Sequence, residues 1–372
     1  MFCGRRLFVG LVEAHFSESI PLRAELYLVG VCISCGAGGC WFWVGSSTAR
    51  ARIVVGCARH ARAMYYVCDI SALRFWRTPI AAERLSRPRR GGLVDACTKV
   101  SVARSKGERW PGWFGLPVHV MALREDQRNE ESTSCVHVRS HGVPRESFVR
   151  MDSRLCVSSP ELCFEEAGRR LSHIQLVLLG NELCGHYRLA PMDESGFVTA
   201  VPLTSSAELR AFVAQSPGLC CENARRAALD VADGLASPME SAVFELMCLA
   251  RRAGGYGLPR PEVNTIAIEG MPYRCDFLWR DAGIAIEYES HEHHSAMDKL
   301  EKDSTRRAVI ESAGIRVVTL TRAQVYNSHE FDRVVRIVAR AVRFRIRDRS
   351  HDWNHRCEEL RGEMLPGYLP GR

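Results

Sequence analysis

The chain has 372 residues, 46% of them hydrophobic and 25% charged, with a formal net charge of +7. That balance excludes a disordered or fibrous chain and leaves room for two globular domains. The positive surplus leans toward an anionic partner, yet at this length a solvated surface explains it equally well, so charge alone does not choose a function.

The N-terminal sixty residues are poorly patterned. Residues 26–49 carry no charge and are long enough to span a bilayer. Gly30, Gly36, Gly38, Gly39 and Gly45, with Ser34, Ser46 and Ser47, would make that stretch a weak membrane helix. Glu13, Glu18, Arg23 and Glu25 interrupt a secretory-leader pattern. Residues 1–64 are expected to be a poorly patterned extension that is disordered or not native; recognisable patterning begins near Cys68, so Met64 is expected to be the natural start and residues 1–63 translated upstream sequence. The 16 cysteines are scattered. Only Cys32-x-x-Cys35 with Cys40 resembles a metal half-site, and no second pair with zinc spacing follows it. Reduced thiols and a cytoplasmic location are the expectation.

Residues 65–236 read as a mixed α+β domain. Residues 69–76 form a short amphipathic helix with Trp76 as anchor, and a Pro/Arg/Gly-rich loop runs over residues 79–92. Strand-like pieces follow at 116–121, 135–138 and 147–149. Ser158-Ser159-Pro160-Glu161 combines a capping box with proline in the first turn and opens a helix to about residue 171. Further helices are expected over 172–184, from Ser205-Ser206-Ala207-Glu208 onward, and over 222–236. No titratable cluster of catalytic type stands out in this half, which points to a structural or regulatory role.

Ser237-Pro238-Met239-Glu240 starts the C-terminal half. A helix to about residue 253 is followed by a glycine- and proline-rich loop over 254–261, then strands at 263–268, 273–279 and 284–288. A helix over 298–313 stops at Gly314, a β-branched strand covers 315–320, and a last helix covers 323–347, leaving residues 349–372 as a tail. The order is α-β-β-β-α-β-α.

Two acids lie where a tight hairpin would bring them together. If residues 280–283 are a symmetric turn, paired positions across it sum to 563, and Asp276 stands opposite Glu287 with Cβ atoms about 5 Å apart. Glu289 shares the face of Glu287, while Ile284, Ile286 and Tyr288 point the other way into a core. An acidic strand face needs a cation or solvent. Converging carboxylates suit magnesium or manganese, hard ions that prefer oxygen and keep several waters.

Asp276, Glu287-Tyr288-Glu289, Ser290-His291-Glu292-His293-His294 and Asp303-Ser304-Thr305-Arg306-Arg307, ahead of Gly314-Ile315-Arg316-Val317-Val318, resemble the very-short-patch-repair-like branch of the PD-(D/E)XK nuclease superfamily over residues 237–345. The resemblance implies an α/β fold with a restriction-endonuclease-like core and a magnesium ion held by Asp276 and Glu287. Such an ion polarises the scissile phosphate and lowers the pKa of the attacking water. Glu289 falls where the superfamily motif has lysine, which leaves water activation to the metal, to Glu289 or to His294. Glu240 would complete the site from the first helix; its alternative is a capping-box role with Ser237. For Arg307 a helix-face ion pair with Asp303 competes with a grip on phosphate. His291 and His293 are expected to be solvated or to lie just outside the metal's own ligands.

In the last helix Arg333, Arg336, Arg340, Arg343 and Arg347 form one basic stripe, with Phe331, Val334, Val335, Val338 and Val342 on the remaining surface. A solvated cationic face is the plain account; beside a cleft, Arg336 and Arg340 would bind DNA phosphates. Asp69-Ile70-Ser71-Ala72-Leu73, with Ser158-Ser159-Pro160-Glu161-Leu162-Cys163 and Glu182-Leu183-Cys184-Gly185, looks like the AbiEi-type antitoxin and regulator domains, without their winged helix. The resemblance thus implies a magnesium- or manganese-dependent DNA endonuclease acting in repair or defence. Its rival is an inactive DNA-binding regulator that keeps the nuclease fold, with a second copy or a toxin–antitoxin protein as partner.

Overall fold

In a computed structural model of the chain, the described residues are 44–46, 49–51, 65–79, 81, 90–91, 110–122, 125, 133–139, 143–144, 146–152, 155–216, 221–289, 297–346 and 350–368. The expectations for Cys32, Cys35 and Cys40, for Met64, and for His291, His293, His294 and Arg347 lie outside them, as does the side chain of Asp303. The chain divides into two units, Met1–Arg62 and Ala63–Arg372. In the first, β1 (Val44–Ser46) and β2 (Ala49–Ala51) pair antiparallel. Among the described residues no helix is long and apolar enough to cross a membrane.

The second unit is mixed α/β and carries two main cores. Its N-terminal half contains β3 (Tyr65–Val67), α1 (Asp69–Trp76), β4 (Arg90–Gly91), β5 (Val118–Ala122), β6 (Ser134–Val138), β7 (Phe148–Arg150) and β8 (Leu155–Ser158). These strands form one sheet in the order β4-β7-β8-β3-β5-β6. β3 pairs parallel with β8 and β5 parallel with β6, while the β3–β5, β4–β7 and β7–β8 pairs are antiparallel. Helices α2 (Pro160–Ala167) and α3 (His173–Cys184) follow, then the hairpin β9 (Tyr187–Leu189) and β10 (Phe197–Thr199), then α4 (Ser206–Gln215) and α5 (Glu222–Asp230). Ser159 caps α2 by accepting from the Leu162 N–H ahead of Pro160, so the expected capping box of Ser158 with Glu161 does not form. The Glu161 carboxylate accepts from Thr204 instead, and the helix ends at Ala167, short of 171. Ser172–Gln175 and Ser205–Glu208 are complete capping boxes. α5 ends at Asp230, well short of 236, because Val231 turns extended (φ −59°, ψ 138°) and buries its side chain completely.

The C-terminal half runs α6 (Pro238–Cys248), β11 (Glu262–Ile266), β12 (Arg274–Trp279), β13 (Ile284–Glu289), α7 (Met297–Ser312), β14 (Arg316–Thr321), α8 (Arg322–Tyr326), α9 (Ser328–Ala341) and α10 (His351–Met364). The sheet order is β11-β12-β13-β14, antiparallel in the first two pairs and parallel in the last. The hairpin closes through a 3-10 turn at Arg280–Ala282 and Gly283, whose φ of 58° is one that glycine tolerates. Phe277↔Ile286, Leu278↔Ala285 and Trp279↔Ile284 pair as the symmetric turn requires. Phe277, Trp279, Ile284 and Ile286 enter the larger core, with Tyr288 packed against it, while Leu278 and Ala285 face a smaller cluster with Ile310.

Two expectations are corrected here. The single last helix is two, because the Asn327 side chain accepts from the His329 and Glu330 N–H groups and starts a new helix. The supposed tail contains α10, which buries Trp353, Cys357, Leu360 and Met364 in the C-terminal core.

Candidate acidic site

Asp276 feels the charges of both Glu240 and Glu287 where β12 and β13 separate, although the oxygens of the three carboxylates do not all come within 4.8 Å of one another. The ladder ends at Phe277↔Ile286. One residue further along β12, the Asp276 carboxyl accepts a hydrogen bond from the Tyr288 N–H at 2.8 Å, taking the role of the strand partner's carbonyl. Burial, followed by the charge of Glu240 and then that of Glu287, pushes Asp276 up to about 7.

Glu240 is 8% exposed in the first turn of α6. Its N–H donates to Ser237 Oγ at 3.1 Å, so Ser237 caps the helix, but the full capping box is absent because the Glu240 carboxylate takes the Ala236 N–H and not that of Ser237. The carboxylate is used too: Oε2 accepts from the Ala236 N–H and from Asn264 Nδ2, both at 2.9 Å, and Oε1 accepts from Ser237 Oγ at 3.1 Å. Burial raises this carboxyl as well. The side chain therefore ties α6 to β11 and faces Asp276 electrostatically.

Glu287 meets a cation that sequence reasoning passed over. Arg306 of α7 donates Nη2 to Oε1 at 2.6 Å and Nη1 to Oε2 at 3.0 Å, with the carboxylate side chain only 13% exposed. This is a bidentate, charge-assisted pair. The signal was legible in the helical phase. Arg306 lies one turn before Ile310, which is fully buried in the small cluster, so the sheet-facing stripe of α7 includes Arg306. Arg307, the residue singled out from sequence, instead donates to Thr319 Oγ1 on β14 and lies 3.9 Å from Glu289, which is exposed at the end of β13. On α9, Arg336 pairs with Asp332 of its own helix at 2.8 Å, and Arg340 is exposed in the last turn.

As a donor set, three carboxylates fit a hard divalent ion. The bidentate hold of Arg306 on Glu287 works against one, since the two cations compete for the same oxygens. Beside this site a cavity of about 760 Å³ lies between the halves, lined by Arg77, Glu182, Tyr187, Met239, Glu240 and Tyr288 among others. Arg77 donates Nε and Nη2 to Glu182 at 2.8 and 2.6 Å within it.

The chain is 34% identical over 116 residues to uncharacterized protein MT2308 and, equally, to uncharacterized protein Rv2248, from two strains of Mycobacterium tuberculosis. Each match spans 30% of this chain and 41% of the relative. No family model matches the chain, and no solved structure matches it.

Proposed function

We propose that the C-terminal half is a restriction-endonuclease-like domain that hydrolyses DNA phosphodiester bonds with magnesium or manganese held by Asp276 and Glu287, Glu240 assisting. The observation that carries this reading is Asp276, at the separating ends of β12 and β13, pushed up first by burial and then by the charges of Glu240 on α6 and Glu287 on β13, all three carboxyls being poorly solvated. Such clustering is costly for a scaffold and useful for a cation site. The strand order and the acids on successive strands are what the resemblance implies for residues 237–345.

A bound ion would supply Lewis-acid charge at the scissile phosphate and a more acidic water. The chain's own residues would do the rest. Asp276 must lose its proton before it can ligate. Glu287 must exchange Arg306 for the ion, and a DNA phosphate offers that guanidinium an alternative bidentate partner. Arg307, anchored by Thr319, stands one residue further along the same helix.

A second reading, an inactive DNA-binding regulator, is favoured by the Arg306–Glu287 pair and by the acid at position 289 in place of the motif lysine. Plasmid cleavage with and without magnesium or manganese separates the two. The nuclease reading expects nicking that requires the ion and falls at least about a hundredfold in Asp276→Asn, where a metal-bound oxygen is lost. Metal-independent DNA binding with no nicking by the wild-type chain would overturn it in favour of the regulator.

A further inference from the structure

A different group of ligands lies in the N-terminal half, far along the chain from the acids. His119 is on β5; Cys135 and His137 are on β6. The parallel register sets His119 beside Cys135 and Met121 beside His137. Strand periodicity puts Cys135 and His137 on one face of β6, and His119 joins them from the neighbouring strand.

The donor atoms converge. His119 Nδ1 lies 2.8 Å from His137 Nε2, the rings are stacked with centroids 5.0 Å apart, and Cys135 Sγ is 3.7 Å from His137 Nε2. One atom from each side chain falls within 4.8 Å of the others. Asp69 Oδ2 stands 3.6 Å from His137 Nε2 and 3.9 Å from His119 Nδ1. Asp69 is itself fixed: Arg170 grips both carboxylate oxygens, and the Asp69 N–H donates to Glu166 Oε2 at 2.9 Å.

We propose that His119, Cys135 and His137 bind a zinc-class transition-metal ion, with a water in the fourth position that Asp69 Oδ2 holds, because the Arg170 grip on Asp69 competes with direct ligation. Two imidazoles and a thiol are the donors zinc selects, and they are wrong for magnesium. With Zn–N of about 2.0–2.1 Å and Zn–S of about 2.3 Å, tetrahedral geometry asks for roughly 3.6 Å between sulfur and nitrogen and roughly 3.4 Å between nitrogens. The sulfur separation already meets this, and the nitrogens need to part by about half an ångström, within reach of a small χ rotation. The side chains of His119 and His137 are 18% and 27% exposed, so an ion can enter from solvent. β6 is the edge of its sheet, and the ion would clip that edge to β5 and to the start of α1.

The test uses the full chain, stripped with chelator under reducing conditions and titrated with zinc alone and with cobalt(II) alone. Because the sequence has 16 cysteines, the reading is the difference between variants. The wild-type chain should bind one zinc equivalent more than Cys135→Ser or His137→Asn, whose affinity at this site should fall by about 100-fold or more, beyond the 10–100-fold typical of an outer-shell change. Cobalt should give a thiolate-to-metal charge-transfer band that Cys135→Ser removes. His119→Gln serves as a third variant, and circular dichroism confirms that each one folds. Equal zinc stoichiometry and affinity in the wild type and all folded variants, or cobalt spectra without the thiolate band, would overturn the site and leave an imidazole pair joined by a hydrogen bond.

Discussion

Asp276 and Glu245 answer to pH in the same direction for the same reason. Burial raises both, so each is a better acid in the unfolded chain than in the folded one. For the nuclease reading this sets a metal profile: below about 7 the Asp276 carboxyl is mostly protonated, and divalent-ion affinity should rise about tenfold per pH unit until that point and then level off. Calorimetry with manganese between pH 5.5 and 8.5 tests this, and a flat profile would remove Asp276 from the ligands. Glu245 serves stability alone. It is fully buried in α6, accepts from Asn181 Nδ2 at 2.8 Å through Oε1, and has no hydrogen-bond partner at Oε2 among the described residues. Burial pushes its carboxyl up to about 8, well above the 4.5 of an ordinary glutamate. Between those values the folded state holds the extra proton, so stability is fullest below the unfolded pKa and is lost as pH rises through the folded one. Glu245→Gln should therefore hold its stability between pH 6 and 9 while the wild type declines by about 2–3 kcal/mol more. Parallel urea-denaturation curves at the two pH values would contradict that origin.

At the scale of elements, the helix starts and the hairpin were written in short-range code, and that is why they could be read. Serine caps, Pro238 at the first turn of α6 and the Arg280–Gly283 turn act within four or five residues, and the register they imply is the one observed at Phe277↔Ile286. Asn327 belongs to the same code and was passed over because the apolar stripe runs on through it. Asn327→Ala should cost about 1 kcal/mol, read as a lower urea midpoint at unchanged m-value, since two N–H groups of α9 lose their acceptor. A continuous helix over 322–341 would leave stability unchanged. What could not be read depends on distant packing. β3 and β8 are three- and four-residue strands that bury nearly every side chain, so no alternation announces them. Arg306 reaches Glu287 only because α7 docks on the sheet, and His119 meets His137 only through the parallel β5–β6 pair, which has no turn to encode it. The carboxylates of the candidate site were visible singly; the cation that holds one of them was not.

Over the second unit, α3 and α10 are the elements that make two halves behave as one. Leu176, Val177, Leu179 and Leu183 of α3 enter the N-terminal core, whereas Ile174 of the same helix enters the C-terminal one. Asn181 bonds Glu245 across the divide, and Tyr187 OH lies 2.9 Å from Ser241 Oγ. α10 closes the other side: Ser172 Oγ donates to Glu363 Oε2 at 2.6 Å, and buried Arg361 donates to the Val325 carbonyl at 2.7 Å while lying over the Phe331 ring. Trp353 is the anchor of this helix. It is 2% exposed, its Nε1 donates to the Gly255 carbonyl at 3.0 Å, Tyr256 meets it edge-on at 5.1 Å, and Arg251 covers its face at 4.6 Å. Trp353→Ala should therefore cost about 3–5 kcal/mol, the range for emptying a core site of this size. The cost should appear in both halves at once, because α10 contacts α3 as well as the C-terminal core. Urea unfolding followed by tryptophan fluorescence and by far-ultraviolet circular dichroism should show one coincident transition in the wild type and one, at lower urea, in the variant. Two separated transitions in Trp353→Ala would mean that the halves unfold independently and that α10 steadies only the half that carries the acids.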